Sequence, residues 1–218
     1  MIRLENLSIN IENNKLLIAN INIFIPSGFL VSIIGEPASG KTRLSKVLAL
    51  QEKAAVGNIH ILGKNTNKLN RNEIAKLHNE ISLVNEKIDL IYNLGVKENI
   101  ILPLISVNKR SVEIETAVEE LVTWLKIDKI LGKDIINLSQ YEKKIVQFAA
   151  AIITRPRILL LDNFFINLDL EVQKKISYLL LALKKIGTTT IIFSSNVNNS
   201  ILEYNESYEI KNHSLVKL

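Results

Sequence analysis

The chain has 218 residues, 47% of them hydrophobic, which suits one domain with a substantial core and room for an inserted subdomain. It contains no cysteine, which excludes disulfides, thiolate metal sites and cysteine nucleophiles. The formal charge of +5 is mild, and basic pairs such as Lys143–Lys144 and Lys184–Lys185 alternate with acids, so solvated helix faces are expected and a nucleic-acid partner is not.

The opening MIRLENLSIN interrupts its apolar residues with acid and amide side chains, so no export signal is expected. Residues 1–34 cluster β-formers (IRLENLSINI, LLIANINIFI, FLVSII) and predict a small antiparallel sheet leading into a buried strand. Next comes 35-GEPASGKT-42, which satisfies G-x-x-x-x-G-K-[ST]. It is followed by RLSKVLALQEKAA, where Leu44, Val47, Leu48 and Leu50 recur at helical spacing. Strand, glycine loop and helix together form the context in which this motif cradles phosphates. Gly35 and Gly40 let the backbone turn its N–H groups toward phosphate oxygens, Lys41 reaches the terminal phosphates, and the Thr42 hydroxyl can ligate magnesium. Glu36, Pro37, Ala38 and Ser39 complete the loop and Arg43 follows it, so residues 35–43 are the expected nucleotide-binding stretch.

Further along, 111-SVEIETAVEELVTWLKI-127 reads as an amphipathic helix. A second helix, 139–155, opens on Ser139 as N-cap with Glu142 three residues on. The apolar run in 157-RILLLDNFFINLD-169 predicts a buried strand that delivers Asp162 at its end. Residues 173–187 form a predicted helix that stops at Gly187, and the β-branched TTTIIFSS follows as a strand. The longest apolar stretches fall short of the roughly 20 residues that span a bilayer, so work at a membrane would require recruitment.

The order and spacing of 35-GEPASGKT-42, 96-VKENIILPL-104, 138-LSQYEKKIVQFAAAIITRPRILLLDNFFINLD-169 and 187-GTTTIIFSSN-196 resemble the ATP-binding subunits of ABC transporters, in particular the FtsE/LolD/MacB-like branch. The resemblance covers nearly the whole chain. It implies an α/β P-loop NTPase core with a small antiparallel β-subdomain and an inserted α-helical subdomain. Residues 1–84 and 156–218 would form the RecA-like core with its N-terminal β-subdomain, and 85–155 the helical part. It also implies ATP and Mg2+ as ligands, a transmembrane permease of the FtsX, LolC or MacB type as partner, and a cytoplasmic place at the inner face of the membrane. Two subunits, identical or different, would close head to tail over nucleotide, the Walker A loop of one facing the signature of the other.

Carried over position by position, the match is uneven. Gly35, Gly40, Lys41, Thr42, Asp162 and the triplet Asn167-Leu168-Asp169 agree with the family. Ile11 falls where an aromatic ring stacks on adenine, and Glu86 falls where a glutamine approaches magnesium, giving Thr42, Asp162 and Glu86 as the expected metal set. The signature is Leu138-Ser139-Gln140-Tyr141-Glu142, with Gln140 and Tyr141 in place of two glycines that allow close backbone approach to a phosphate. Ser195 replaces a histidine that contacts the γ-phosphate, and Asn163 replaces the catalytic glutamate. His60, His78 and His213 lie elsewhere and read as surface or loop residues.

An amide cannot take a proton from water, so no catalytic residue of the family is intact. The expected function is an ATP-binding subunit with weak or no hydrolysis. The alternatives are an active ATPase powering export, lipoprotein release or cell-division signalling, and a nucleotide-free scaffold. Two further readings stay open at this stage. Ser139 is either a phosphate donor or a plain helix cap, and 88–104 is either a permease-docking groove or helical core.

Overall fold

The computed structural model describes residues 1–10, 16–107, 109–195 and 202–218. In chain order its first elements are β1 (Ile2–Asn10), β2 (Leu16–Ile25), β3 (Leu30–Gly35), α1 (Lys41–Leu48), β4 (Val56–Ile61), β5 (Lys64–Asn65), α2 (Arg71–His78) and β6 (Ile81–Val84). There follow α3 (Val96–Ser106), α4 (Ser111–Leu125), α5 (Gln140–Ile152), β7 (Ile158–Asp162), α6 (Leu170–Lys185), β8 (Thr189–Ser194), β9 (Glu206–Lys211) and β10 (Ser214–Lys217).

The N-terminal β-formers build a four-stranded sheet in the order β2-β1-β4-β5. β1 turns Ile2 and Leu4 inward, then Leu7 and Ile9, so its buried phase switches from even to odd positions. The switch coincides with a register shift against β2 and with Asn6 at φ 49°, which is a bulge: one extra residue flips every later side chain to the other face.

The second sheet has the order β10-β9-β3-β8-β7-β6, and every pairing from β9 to β6 is parallel. Parallel strands covered on both faces carry continuous apolar runs. Thus ILLLD of β7 is buried at every position. Alternate residues feed two cores. Ile158, Leu160, Ile191 and Phe193 pack with α1 and the small sheet, and Leu159, Leu161 and Ile192 pack with buried residues of α3 to α6.

Helix boundaries follow local chemistry. α5 opens on a capping box, with Ser139 Oγ accepting from Glu142 N at 3.2 Å and Glu142 Oε2 accepting from Ser139 N at 2.8 Å. α6 begins three residues before its predicted start because the Asp169 carboxylate accepts from Val172 N at 2.9 Å and caps it. α1 stops at Leu48, short of its predicted extent, and Leu50 lies in the left-handed region at φ 59°. Two helices, α2 and α3, are additions to the sequence reading. α2 is short and buries only Leu77, and α3 is apolar on nearly all sides with Pro103 inside it, so α3 has no clear helical phase.

Phe148 of α5 is fully buried, and its ring stacks on Phe164 with centroids 5.0 Å apart. Phe148→Ala is expected to cost about 3–5 kcal/mol, as for other large-to-small core changes. A urea titration checks this; an unchanged midpoint would show that the stack contributes nothing.

Candidate functional site

Four neighbouring strands, β3, β8, β7 and β6, end on one edge of the parallel sheet. Their register pairs Ile34 with Ser194, Asp162 with Phe193, and Val84 with Leu161. The residues following each strand are therefore brought side by side: the loop from Gly35, Ser195, Asp162 with Asn163, and Glu86. Ligands of open α/β sheets bind at this carboxyl edge.

The 35–42 loop wraps toward the start of α1. Gly40 takes φ 103°, where an L side chain is strained, and a Cβ there would come within 2.9 Å of Leu17 and Ile18 side-chain atoms. Ala38 accepts a left-handed φ of 64° without that excuse. No side chain caps α1, so the first-turn N–H groups are left for an anion, as at other phosphate-binding helix starts. Lys41 is 5% exposed, and its Nζ donates to Gly35 O and Glu36 O, both at 2.7 Å. Burial lowers its pKa, and the negative charges of Asp162 and Glu86 oppose the shift. Glu36, Pro37 and Ala38 are exposed, Ser39 is partly covered, and Pro37, Ala38, Thr42 and Arg43 face the cleft.

Asp162 is fully buried at the end of β7, and neither carboxylate oxygen has a hydrogen-bond partner. Burial pushes its pKa up, with Thr42, Lys41 and Lys46 pulling it back and Glu86 adding to the rise. Thr42 thus lies close enough to act on Asp162 without reaching hydrogen-bond geometry. A buried, unpartnered carboxylate beside a hydroxyl fits a hard divalent cation such as Mg2+, which takes one or two protein oxygens and completes its shell with water and phosphate. Among the described residues no group of three or more acidic, histidine or cysteine side chains forms a metal cage. Asp162 and Thr42 would hold Mg2+ only together with phosphate.

Glu86, the third residue of the expected metal set, is exposed and engaged by another partner: Asn163 Nδ2 donates to Glu86 Oε2 at 2.8 Å. Asn163 holds φ 49° and its N–H donates to Phe193 O at 2.9 Å, fixing the turn after β7. Glu86, Asn163, Ser195, Lys41 and Thr42 line one cleft of about 610 Å³, within the range of small-molecule sites. Asp162 lies on an adjoining cleft that shares Thr42, Lys46 and Glu86. Ile11 lies outside the described residues.

The 138–142 segment is elsewhere. Leu138 is buried, Ser139, Gln140 and Tyr141 are exposed at the start of α5, and Ser139 is occupied with Glu142 as a cap. Tyr141 has its pKa raised by partial burial, with Asp169 and Glu142 adding to the rise. None of these residues lines the Lys41 cleft in the single chain.

Two lysines have contacts that the sequence reading did not foresee, Lys144 among them, which with the buried Lys143 was expected on a solvated helix face. Lys46 lines both clefts and stands one helical turn after Thr42, a spacing that could have identified it. Lys144 Nζ donates to Ile166 O at 2.8 Å and lies 5.6 Å above the Phe164 ring, anchoring the loop after Asp162. The histidines stand apart from Asp162: His60 lies 3.5 Å from Glu5, His213 Nδ1 lies 2.9 Å from Leu17 O, and His78 ends α2.

A parallel sheet with a glycine loop and lysine after one strand, and a buried aspartate ending another, defines the α/β fold of the P-loop NTPases. The ABC transporter family model matches residues 18–165, and the chain belongs to that family. The lipoprotein-releasing system ATP-binding protein LolD of Neorickettsia sennetsu is 26% identical over 205 residues, covering 94% of this chain and 90% of its own length. The methionine import ATP-binding protein MetN of Haemophilus ducreyi is 29% identical over 204 residues, 91% of this chain. MetN 1 of Bacillus cereus is 31% identical over 205 residues, also 91% of this chain. The chain spans only 59% and 58% of those two MetN proteins. The ATP-binding cassette MJ0796, solved as a dimer in a post-hydrolysis state with ADP and Pi, superposes with a TM-score of 0.89 at 25% identity, covering 100% of this chain and 99% of its own.

The raised pKa of Asp162 means that the native state holds its proton more tightly than the unfolded chain does. The group's contribution to stability therefore falls as pH rises from the ordinary Asp value of about 3.9 through the raised native value, and stays low above it. Asp162→Asn is expected to raise the melting temperature of the nucleotide-free protein at neutral pH, with the gain closing as pH approaches the ordinary Asp value. Differential scanning calorimetry across pH checks this, and a variant less stable than wild type at neutral pH would refute the desolvation argument.

Proposed function

We propose that this chain is the ATP-binding subunit of a membrane transport complex, which holds Mg-ATP and turns it over weakly at most. The observation that carries the reading is one cleft edge with two unequal halves. Lys41, the uncapped start of α1 and the unpartnered Asp162 favour phosphate and Mg2+. At the same edge Asn163 stands in the place of the glutamate that the family resemblance assigns to proton abstraction, and Ser195 in that of the histidine. Magnesium would be held by Asp162 and Thr42 and would offset the negative charge of the phosphates.

Family members work with transmembrane permeases and dimerise, and a permease subunit is the expected partner here. Among the described residues no helix is long and apolar enough to cross a membrane, which agrees with recruitment to the inner membrane face by that partner. The chain spans 90% of the LolD relative's length, which favours a permease of the LolC, FtsX or MacB type. The 88–104 segment supports docking and core together: Val96, Ile100 and Leu104 are buried, and Ile91, Tyr92 and Leu102 are exposed.

Mg-ATP at a hundred times its dissociation constant is expected to stabilise the protein by about 2.7 kcal/mol, read as a rise in melting temperature. Lys41→Ala should remove most of that rise. No rise in the wild type at millimolar nucleotide would favour the scaffold alternative, and phosphate release of about one per second, an ordinary enzymatic rate, would favour the active ATPase. ATP should also induce little homodimer, because Gln140 and Tyr141 crowd a surface where glycines would admit a phosphate. Light scattering that shows a doubled mass on adding ATP would overturn this crowding argument.

A further inference from the structure

The departures at Glu86 and Asn163 are 77 residues apart in the chain and in contact in space, with Asn163 Nδ2 donating to Glu86 Oε2 at 2.8 Å. The two loops that carry them follow adjacent parallel strands, β6 and β7. Where the resemblance places an amide and a carboxylate, the chain has a carboxylate and an amide. The site has lost neither group; it has exchanged them.

The other carboxylate on the same cleft, Glu52, is held in ion pairs by Arg43 at 2.9 Å and Lys46 at 3.6 Å. Glu86 has no cation within ion-pair distance among the described residues, and its one fixed partner is the Asn163 amide. That bond orients the carboxylate and leaves Asn163 Oδ1 buried without a partner of its own, an acceptor available to a water molecule. The strand that follows α2 and the strand that follows α5 thus deliver a paired acceptor set to the cleft that holds Lys41 and Thr42.

We propose that Glu86 is the carboxylate that activates water in this site and that Asn163 is its positioning residue. The inference rests on the Mg-ATP reading above. In the step, the water oxygen bonds to the γ-phosphorus while the bond from that phosphorus to the β–γ bridging oxygen breaks, its electron pair leaving with ADP. One water proton passes to Glu86 and then to solvent; the other stays on the phosphate released. The weak turnover therefore runs through a carboxylate displaced to the neighbouring strand end.

The pair makes Asn163→Glu alone a poor repair. It replaces an amide–carboxylate hydrogen bond with two facing carboxylates, which repel. Restoring one of each requires both changes, Glu86→Gln with Asn163→Glu, so the test is a double-mutant cycle with two readouts. Glu86 is exposed and its amide variant nearly isosteric, so folding is retained.

In the nucleotide-free protein, Asn163→Glu is expected to lower the melting temperature and the double variant to recover it. With Mg-ATP, Glu86→Gln should keep the thermal shift and lose about 10²-fold or more in phosphate release, the contribution of a positioned base. The double variant should release phosphate at least as fast as wild type. Phosphate release unaffected by Glu86→Gln, no phosphate release from wild type, or a double variant no better than the worse single variant in both readouts would overturn the exchange. A wild type without any Mg-ATP thermal shift would overturn the nucleotide-binding reading itself, and the exchange with it.

Discussion

Everything at the cleft depends on the parallel pairing of β3, β8, β7 and β6. Parallel strands run in one direction, so their carboxyl ends share an edge, and hydrogen-bond register then fixes which residue of each strand reaches it. Asp162 opposite Phe193 and Val84 opposite Leu161 bring the turn after β7 and the turn after β6 to the same height. A shift of one residue in β7 would send Asp162 to the opposite face and swap the two cores that Leu159 and Leu160 serve. The apolar continuity of ILLLD does not define that register by itself, because every position is buried. The paired strands on each side define it.

Helix α5 secures what the sheet positions. Gln147 Nε2 donates to Lys87 O at 3.2 Å, holding the turn beyond Glu86, and Lys144 Nζ donates to Ile166 O at 2.8 Å, holding the turn beyond Asn163. Phe148 stacks on Phe164 between them. Three side chains within five positions of one helix therefore clamp both loops that carry the Glu86–Asn163 pair. The same helix begins with the exposed Gln140 and Tyr141.

Much of this was legible in the sequence. The glycine loop, its flanking strand and helix, the Asp162 strand and the Ser139 cap were readable because each has a local signature: a fixed spacing, an apolar run or a capping pair. α3 was not, because an apolar segment without a polar face has no phase to read, and α6 begins at a cap, Asp169, which the sequence reading matched only to a family triplet. The site was legible residue by residue but not as a set. Asn163 reads as a loss and Glu86 as a metal ligand, since a departure is judged against its own position. Only the pairing of β6 with β7 reveals that the two changes face each other.

The geometry also separates holding a nucleotide from consuming it. Burial lowers the pKa of Lys41 and raises that of Asp162, so the cleft keeps one cation and one carboxylate in an environment that disfavours both charges. A magnesium ion and a polyphosphate would relieve the two penalties together, the phosphate meeting Lys41 and the cation meeting Asp162. Glu86 bears on these penalties only through its charge, which adds to the rise at Asp162 and opposes the fall at Lys41. The contact of Glu86 with Asn163 lies at the exposed rim, between loops that α5 contacts, and the hydrogen bond between them involves neither Lys41 nor Asp162. A chain built this way can lose or relocate its acid–base chemistry and still bind its ligand, because the two tasks use different carboxylates at different depths.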